Sequence, residues 1–185
     1  MGGFDSTSNV EAASLFNIPV SGTISHSYVS SYSRAPGYRR QTDGNAFHEK
    51  LLKVGLTKLK EFENRKIINT SQASESEYEA FVGFASSFPE KFLVIIDTYN
   101  VLRSGLPNFC AVALALHQSG YTPIGVRLDS GDLAYLSKMC RLTFNKIASS
   151  YNLPWFSSVM IVASNEITIE SIYSMKSQVY YSPNS

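Results

Sequence analysis

The amino-acid sequence predicts an α/β protein built on a parallel sheet. Two observations lead there. Three short apolar runs, at residues 92–96, 123–128 and 159–163, are each followed by a stretch of helical periodicity, the pattern of successive βα units. Continuous apolar strands of this kind are covered on both faces, and right-handed helical crossovers connect them. Each run also ends in a polar cluster: Asp97-Thr98-Tyr99, then Asp129-Ser130-Gly131-Asp132, then Ser164-Asn165. Ligands of parallel sheets and barrels bind at the carboxyl ends of the strands, so these clusters mark the functional edge.

The elements follow in order. Residues 6–16 predict a short helix, with Ser6 or Ser8 available as N-cap and Glu11 in its first turns. Residues 18–24 form a strand candidate that ends at Ser25-His26-Ser27. Residues 30–46 are rich in Ser, Tyr, Arg and Gly without an apolar period, 47–62 are weakly helical, and 63–76 return to polar loop. Together 30–76 read as a polar insertion with the composition of a mobile surface segment, in a chain (1–185) that otherwise belongs to one domain. Tyr78, Phe81, Val82 and Ala85 share one face of a helix expected over 77–87. The strand at 92–96 leads to a helix at 106–119, which tolerates Pro107 in its first turn and stops at Gly120. A second strand, at 123–128, leads to a helix at 133–151. The third, at 159–163, leads to a helix from 166 to about 176.

Composition narrows the function classes. With a formal net charge of +1 over 185 residues there is no electrostatic footprint for nucleic acid or an anionic membrane. No apolar run approaches the ~20 residues of a membrane span, and residues 1–15 lack the basic start and apolar centre of a signal peptide. Cys110 and Cys140 both fall in apolar helical segments, which argues for a reducing, cytoplasmic setting over a disulfide framework. No His, Cys and acid spacing matches a metal site, and neither a Walker loop nor a dinucleotide glycine fingerprint is present.

Three strand ends carry candidate chemistry. The stretch Arg127-Leu128-Asp129-Ser130-Gly131-Asp132 gathers a cation, carboxylates, a hydroxyl and a glycine into one strand-to-helix turn. Arg127 suits a two-point grip on carboxylate or phosphate, Asp129 suits ribose hydroxyls or a metal held through water, and the helix start offers N–H groups to an anion. The structural alternative is that Asp132 caps the helix and Arg127 pairs with Asp129. His26, in Gly22-Thr23-Ile24-Ser25-His26-Ser27, stands at the mouth of its segment among small residues that leave room for a ligand. Its imidazole suits an acid, a base or a phosphate acceptor, and equally a structural role. Asp97 with Arg103 forms a third cluster, or simply a polar loop over the sheet.

Taken together, five pieces resemble the nicotinate phosphoribosyltransferase family, in its animal-type form. They are Gly2-Gly3-Phe4-Asp5-Ser6-Thr7-Ser8-Asn9, the Gly22–Ser27 segment, Asp97-Thr98-Tyr99 with Arg103-Ser104-Gly105, the Gly125–Asp132 segment, and Ser164-Asn165. The resemblance implies a partial parallel (β/α) barrel of the type II phosphoribosyltransferase kind, incomplete at both ends. It implies formation of nicotinate mononucleotide from nicotinate and phosphoribosyl pyrophosphate, with ATP hydrolysis improving the yield and ATP and Mg2+ as the cofactors, in NAD biosynthesis. It places His26 where the family's histidine is phosphorylated. Thr23, Arg127, Asp129, Ser130, Gly131 and Asn165 fall where substrate and its ribose are held, and Ser8 falls in the base pocket. Amide-using relatives carry an aspartate where Ser8 stands; a carboxylate there repels nicotinate and a hydroxyl does not.

The family's members are longer. Upstream they have a stacking aromatic residue and a substrate arginine, and downstream a Gly-rich loop for the ribose 5-phosphate. The resemblance therefore implies a fragment that is inactive alone, and a homodimer for the full-length enzyme. The alternatives are a non-catalytic truncated product that pairs with a full-length subunit, and a nicotinamide-using relative.

Overall fold

The computed structural model describes residues 6–33, 45–164 and 167–180. Three strands, β1 (Leu93–Ile95), β2 (Gly125–Leu128) and β3 (Met160–Ala163), form a parallel sheet in the order β1-β2-β3. Val94 pairs with Val126 and Val126 with Ile161, which brings the carboxyl ends of all three strands to one edge. Helix α5 (Leu106–His117) lies between β1 and β2 in the chain, α6 (Leu133–Tyr151) between β2 and β3, and α7 (Ile169–Tyr180) after β3. The α/β class and the parallel sheet are thus as the sequence predicts.

Helix α5 is apolar all round, and every residue from Leu106 to Leu116 is buried. A helix of that kind needs cover on all sides. Besides the sheet it has α3 (Ala46–Asn64) and α4 (Glu75–Ser87) packed against it. A ladder of aromatic rings ties the layers together. Phe92 stacks on Phe109 at 5.6 Å, Phe109 meets Phe144 at 5.8 Å, and Phe144 meets Phe156 at 5.7 Å. These rings are fully buried and form the centre of the core.

Some expectations need correction. Residues 18–24 do not form a strand. Thr7 and Val20 make an isolated parallel bridge, in which the Thr7 N–H donates to the Pro19 carbonyl and the Ser21 N–H to the Thr7 carbonyl. Pro19 has no N–H to extend a ladder. The first helix is α1 (Val10–Phe16), and its cap is Asn9 rather than Ser6 or Ser8. Asn9 Oδ1 accepts the Ala12 N–H at 3.0 Å, while the Thr7 hydroxyl accepts the Asn9 N–H at 3.1 Å. Within the stretch 30–76, α3 is part of the core: Leu51 and Phe62 are fully buried.

Between β1 and α5 the chain makes a wide π-type turn, Val101–Gly105. Gly105 lies so close to the Ile96 carbonyl that a Cβ would collide with it. Among the described residues no helix is long and apolar enough to cross a membrane.

Candidate functional site

The strand ends converge on one imidazole. His26 is the first residue of α2 (His26–Ser30), a short helix capped by Ser25, whose side chain accepts the Tyr28 N–H. That start turns the His26 ring toward the carboxyl ends of β1 and β2. Its Nδ1 lies 3.1 Å from the Thr98 hydroxyl. Its Nε2 lies 3.8 Å from Asp97 Oδ1 and 3.8 Å from Asp129 Oδ2. The histidine side chain is 43% exposed, whereas that of Asp97 is 2% exposed. An open imidazole therefore sits on a buried carboxylate.

Asp97 is fixed by its other oxygen. Oδ2 accepts the Asp129 backbone N–H at 3.0 Å and the Ser130 hydroxyl at 2.5 Å. Oδ1 is buried without a hydrogen-bond partner among the described residues, and it faces the histidine. Successive strand ends of a parallel sheet are neighbours, so Asp97 after β1 reaches the turn after β2 directly.

Arg127, near the end of β2, spreads its guanidinium over three partners. Nε donates to Ser164 Oγ at 3.0 Å, one terminal nitrogen donates to Thr23 Oγ1 at 3.0 Å, and the other lies 3.0 Å from Asp129 Oδ2. Ser164, beyond β3, passes its own hydroxyl on to Asp129 Oδ1 at 2.5 Å. This hydrogen bond, with Arg127 and His26 adding to it, holds the Asp129 carboxyl below the usual carboxylate range. The arginine thereby ties the Thr23 segment to two strand ends.

The turn itself is built for close approach. Gly131 has a φ of 77°, a left-handed conformation that favours glycine. Asp132 caps α6 by accepting the Tyr135 N–H at 2.9 Å. Beside this turn opens a cavity of about 260 Å³, bounded by residues 129–134 and, across from them, by Ile167, Ser171 and Met175. Ser8 is exposed and its Cβ lies about 3.9 Å from where a Cβ on Gly22 would sit, next to Thr23.

Of the residues singled out in the sequence, His26, Thr23, Arg127, Asp129 and Ser130 meet in one hydrogen-bonded set, and Gly131 shapes the turn. Ser8 adjoins that set without a bond to it. Asn165 lies outside the described residues. Asp97, Thr98 and Ser164 complete the site; the sequence puts their clusters at the functional edge but assigns none of them a specific role there. Their signal was position alone, since each lies just beyond a strand end. Both parts of the structural alternative for the Arg127–Asp132 stretch hold: Asp132 caps α6 and Arg127 pairs with Asp129. Among the described residues no three His, Cys, Asp or Glu side chains are grouped to hold a metal ion.

No protein-family model matches the chain. Nicotinate phosphoribosyltransferase 2 of Arabidopsis thaliana is 42% identical over 184 residues, which is 96% of this chain. The nicotinate phosphoribosyltransferases of Caenorhabditis elegans and Homo sapiens are 43% and 40% identical over 96% and 93% of it. The chain is a relative of the nicotinate phosphoribosyltransferases. A crystal structure of human nicotinic acid phosphoribosyltransferase superposes with a TM-score of 0.74 at 40% identity, covering 92% of this chain. The chain spans about a third of these relatives: 33% of the Arabidopsis and human nicotinate phosphoribosyltransferases and 35% of the human crystal chain.

Proposed function

We propose that this chain supplies the histidine-bearing edge of a nicotinate phosphoribosyltransferase, and that its sheet is part of a type II phosphoribosyltransferase (β/α) barrel. The complete protein forms nicotinate mononucleotide from nicotinate and phosphoribosyl pyrophosphate, coupled to ATP hydrolysis, in the cytoplasm and as a homodimer. The observation that carries this reading is the His26 ring. One nitrogen faces two carboxylates at 3.8 Å and the other meets a hydroxyl at 3.1 Å.

In that arrangement Nε2 keeps its proton, directed at Asp97 and Asp129. The lone pair of Nδ1, which accepts from Thr98, is the nucleophile once the hydroxyl turns away. Nδ1 attacks the γ-phosphorus of ATP, the bond from that phosphorus to the bridging oxygen breaks, and ADP leaves. The positive charge that develops on the imidazole is held by the two carboxylates, as in other histidine–carboxylate pairs.

Magnesium enters with ATP as substrate. It prefers one or two carboxylates plus phosphate oxygens to a cage of protein ligands. Arg127 and Asp129 hold the phosphoribosyl substrate and its ribose, with Ser130 and Gly131 in the same turn. Asn165 belongs to the same substrate set. Ser8, a neutral hydroxyl beside Gly22, accepts nicotinate without repulsion.

Residues 6–180 grafted into the matching third of the human relative test the reading. The graft is expected to make nicotinate mononucleotide with ATP stimulation, and His26→Asn to abolish the stimulation. A folded graft without product, or a His26→Asn graft that is still stimulated, overturns it. The 185-residue chain assayed alone is expected to make no product.

A second reading has its own support. Val10, Leu15 and Phe16 on α1 are 69%, 70% and 67% exposed, and Ile169 and Tyr173 on α7 are 70% and 68% exposed. Apolar faces of this kind favour a non-catalytic chain that pairs with a longer homologous subunit. Co-purification of the chain with a full-length relative, giving a less active complex, supports that reading, and separate elution excludes it.

A further inference from the structure

A buried polar cluster outside the site braces the loop that carries Asp97 and Thr98. Glu77 on α4 and Asn108 on α5 are both fully buried. The Ser104 hydroxyl donates to Glu77 Oε2 at 2.5 Å and accepts the Ser74 N–H at 2.8 Å. Asn108 Nδ2 donates to the same Glu77 oxygen at 3.3 Å and to the Ser74 carbonyl at 3.0 Å. The charged group that acts on Glu77 is Asp97, a like charge. A buried acid without a cation is costly in its ionised form, and a core that only needed stability would use an apolar residue. A position that keeps such a group calls for another reason.

The reason lies in what Ser104 holds. It sits in the π-type turn, where its N–H and that of Gly105 both donate to the Asn100 carbonyl, at 2.9 and 3.1 Å. Asn100 Oδ1 closes the turn by accepting the Arg103 N–H at 2.9 Å. Gly105 presses on the Ile96 carbonyl, one residue before Asp97. The excursion from Ile96 to Gly105 is therefore pinned where it returns to the strand, and the hook at that return is the Glu77–Ser104 bond. We propose that Glu77 is a positioning residue, which acts through Ser104 to hold the loop presenting Asp97 and Thr98 to His26. Its meaning for catalysis rests on His26 being the reacting group; the placement of the loop does not.

The Asp129 amide reports the placement, because it donates to Asp97 Oδ2 at 3.0 Å. Native-state hydrogen exchange on the whole chain, without ligand, compares it with the sheet amides of Ile124 and Met160, which donate to Phe92 and Ile124. In Ser104→Ala and Glu77→Leu, Asp129 protection is expected to fall about tenfold more than that of the two sheet amides, the scale of one lost hydrogen bond. Glu77→Gln, which still offers an oxygen to Ser104, is expected to keep wild-type protection. Should Glu77→Leu fail to fold, Ser104→Ala decides. Equal losses at all three amides, no loss at Asp129, or an unfolded Ser104→Ala overturn the proposal by leaving Glu77 a merely structural role. Failure of the phosphotransfer reading in the graft assay leaves this measurement unaffected.

Discussion

Replacing Glu77 with Gln should change how the fold responds to pH. Burial, offset in part by hydrogen bonds from Ser104 and Asn108 and reinforced by Asp97, raises the Glu77 carboxyl from 4.5 to about 7. The folded chain thus keeps this proton over a range where the unfolded chain releases it. Folding stability from Glu77 is then fully present below pH 4.5, declines as the pH rises, and levels off above about 7. At ~1.4 kcal/mol for each tenfold change in proton affinity, the decline amounts to ~3 kcal/mol. With a urea dependence of ~2 kcal/mol per molar, ordinary for a chain of this size, the unfolding midpoint moves down by ~1.5 M. Glu77→Gln has no proton to lose, so its midpoint lacks this component. Urea titrations of both proteins from pH 4.5 to 8, read by circular dichroism, give the difference directly. Asp129 does not intrude, because its lowered carboxyl contributes stability that is lost only as the pH falls through its folded value, below its ordinary 3.8. Parallel midpoints for the two proteins across this range would refute the reasoning and show that Glu77 is ionised in the folded chain.

Further expectations are simpler. Ser164→Ala removes the chief cause of the lowered Asp129 carboxyl, and a carbon-13 NMR titration should find that group moved up toward 3.8. Gly105→Ala forces a methyl onto the Ile96 carbonyl and should cost ~1–3 kcal/mol in urea unfolding, the usual range for overpacking. Phe109→Ala removes the middle ring of the aromatic ladder and should cost ~3–5 kcal/mol by the same assay. Both thiols are fully buried, and burial pushes Cys140 up to about 12 and Cys110 well above its usual value. A thiol reagent at pH 8 should therefore label neither until urea is added.

How far the molecule can be read from its letters varies along the chain. Where several local signals agree, the reading is close. Helix α6 was expected at 133–151 and spans Leu133–Tyr151, because a capping aspartate, a long apolar stripe and Asn152 in a left-handed C-cap act together. Helix α3 shows only faint periodicity because its buried stripe is Leu51, Gly55, Lys58 and Phe62, two of which a hydropathy pattern scores as non-core. Gly55 is there to admit the Tyr78 ring, and Lys58 to reach Glu61 at 2.9 Å.

The segment around Val20 misled for the opposite reason. Its composition suits a strand, but a strand needs a partner over its length, and the bridge to Thr7 provides only one step. For the site, His26, Arg127 and Asp129 were legible as reactive types at chain positions that face the functional edge. That Asp97 and Ser164 join them is a matter of sheet order. No local pattern states that β1, β2 and β3 lie side by side in chain order.

That side-by-side order also sets a timetable. Each βα unit can dock on the one before it as the chain is made, so the sheet can grow by short steps. The imidazole's surroundings are assembled otherwise. His26 meets Thr98 across 72 residues, and Thr23 meets Arg127 across 104. Closing loops of that length carries an entropy cost that nearby contacts do not, and long-range pairing is slow. The segment holding His26 can rest its Tyr28 on Phe84 of α4 before the sheet exists, but its site contacts have to wait for two strands downstream, and the chemistry of this edge is among the last things the fold completes.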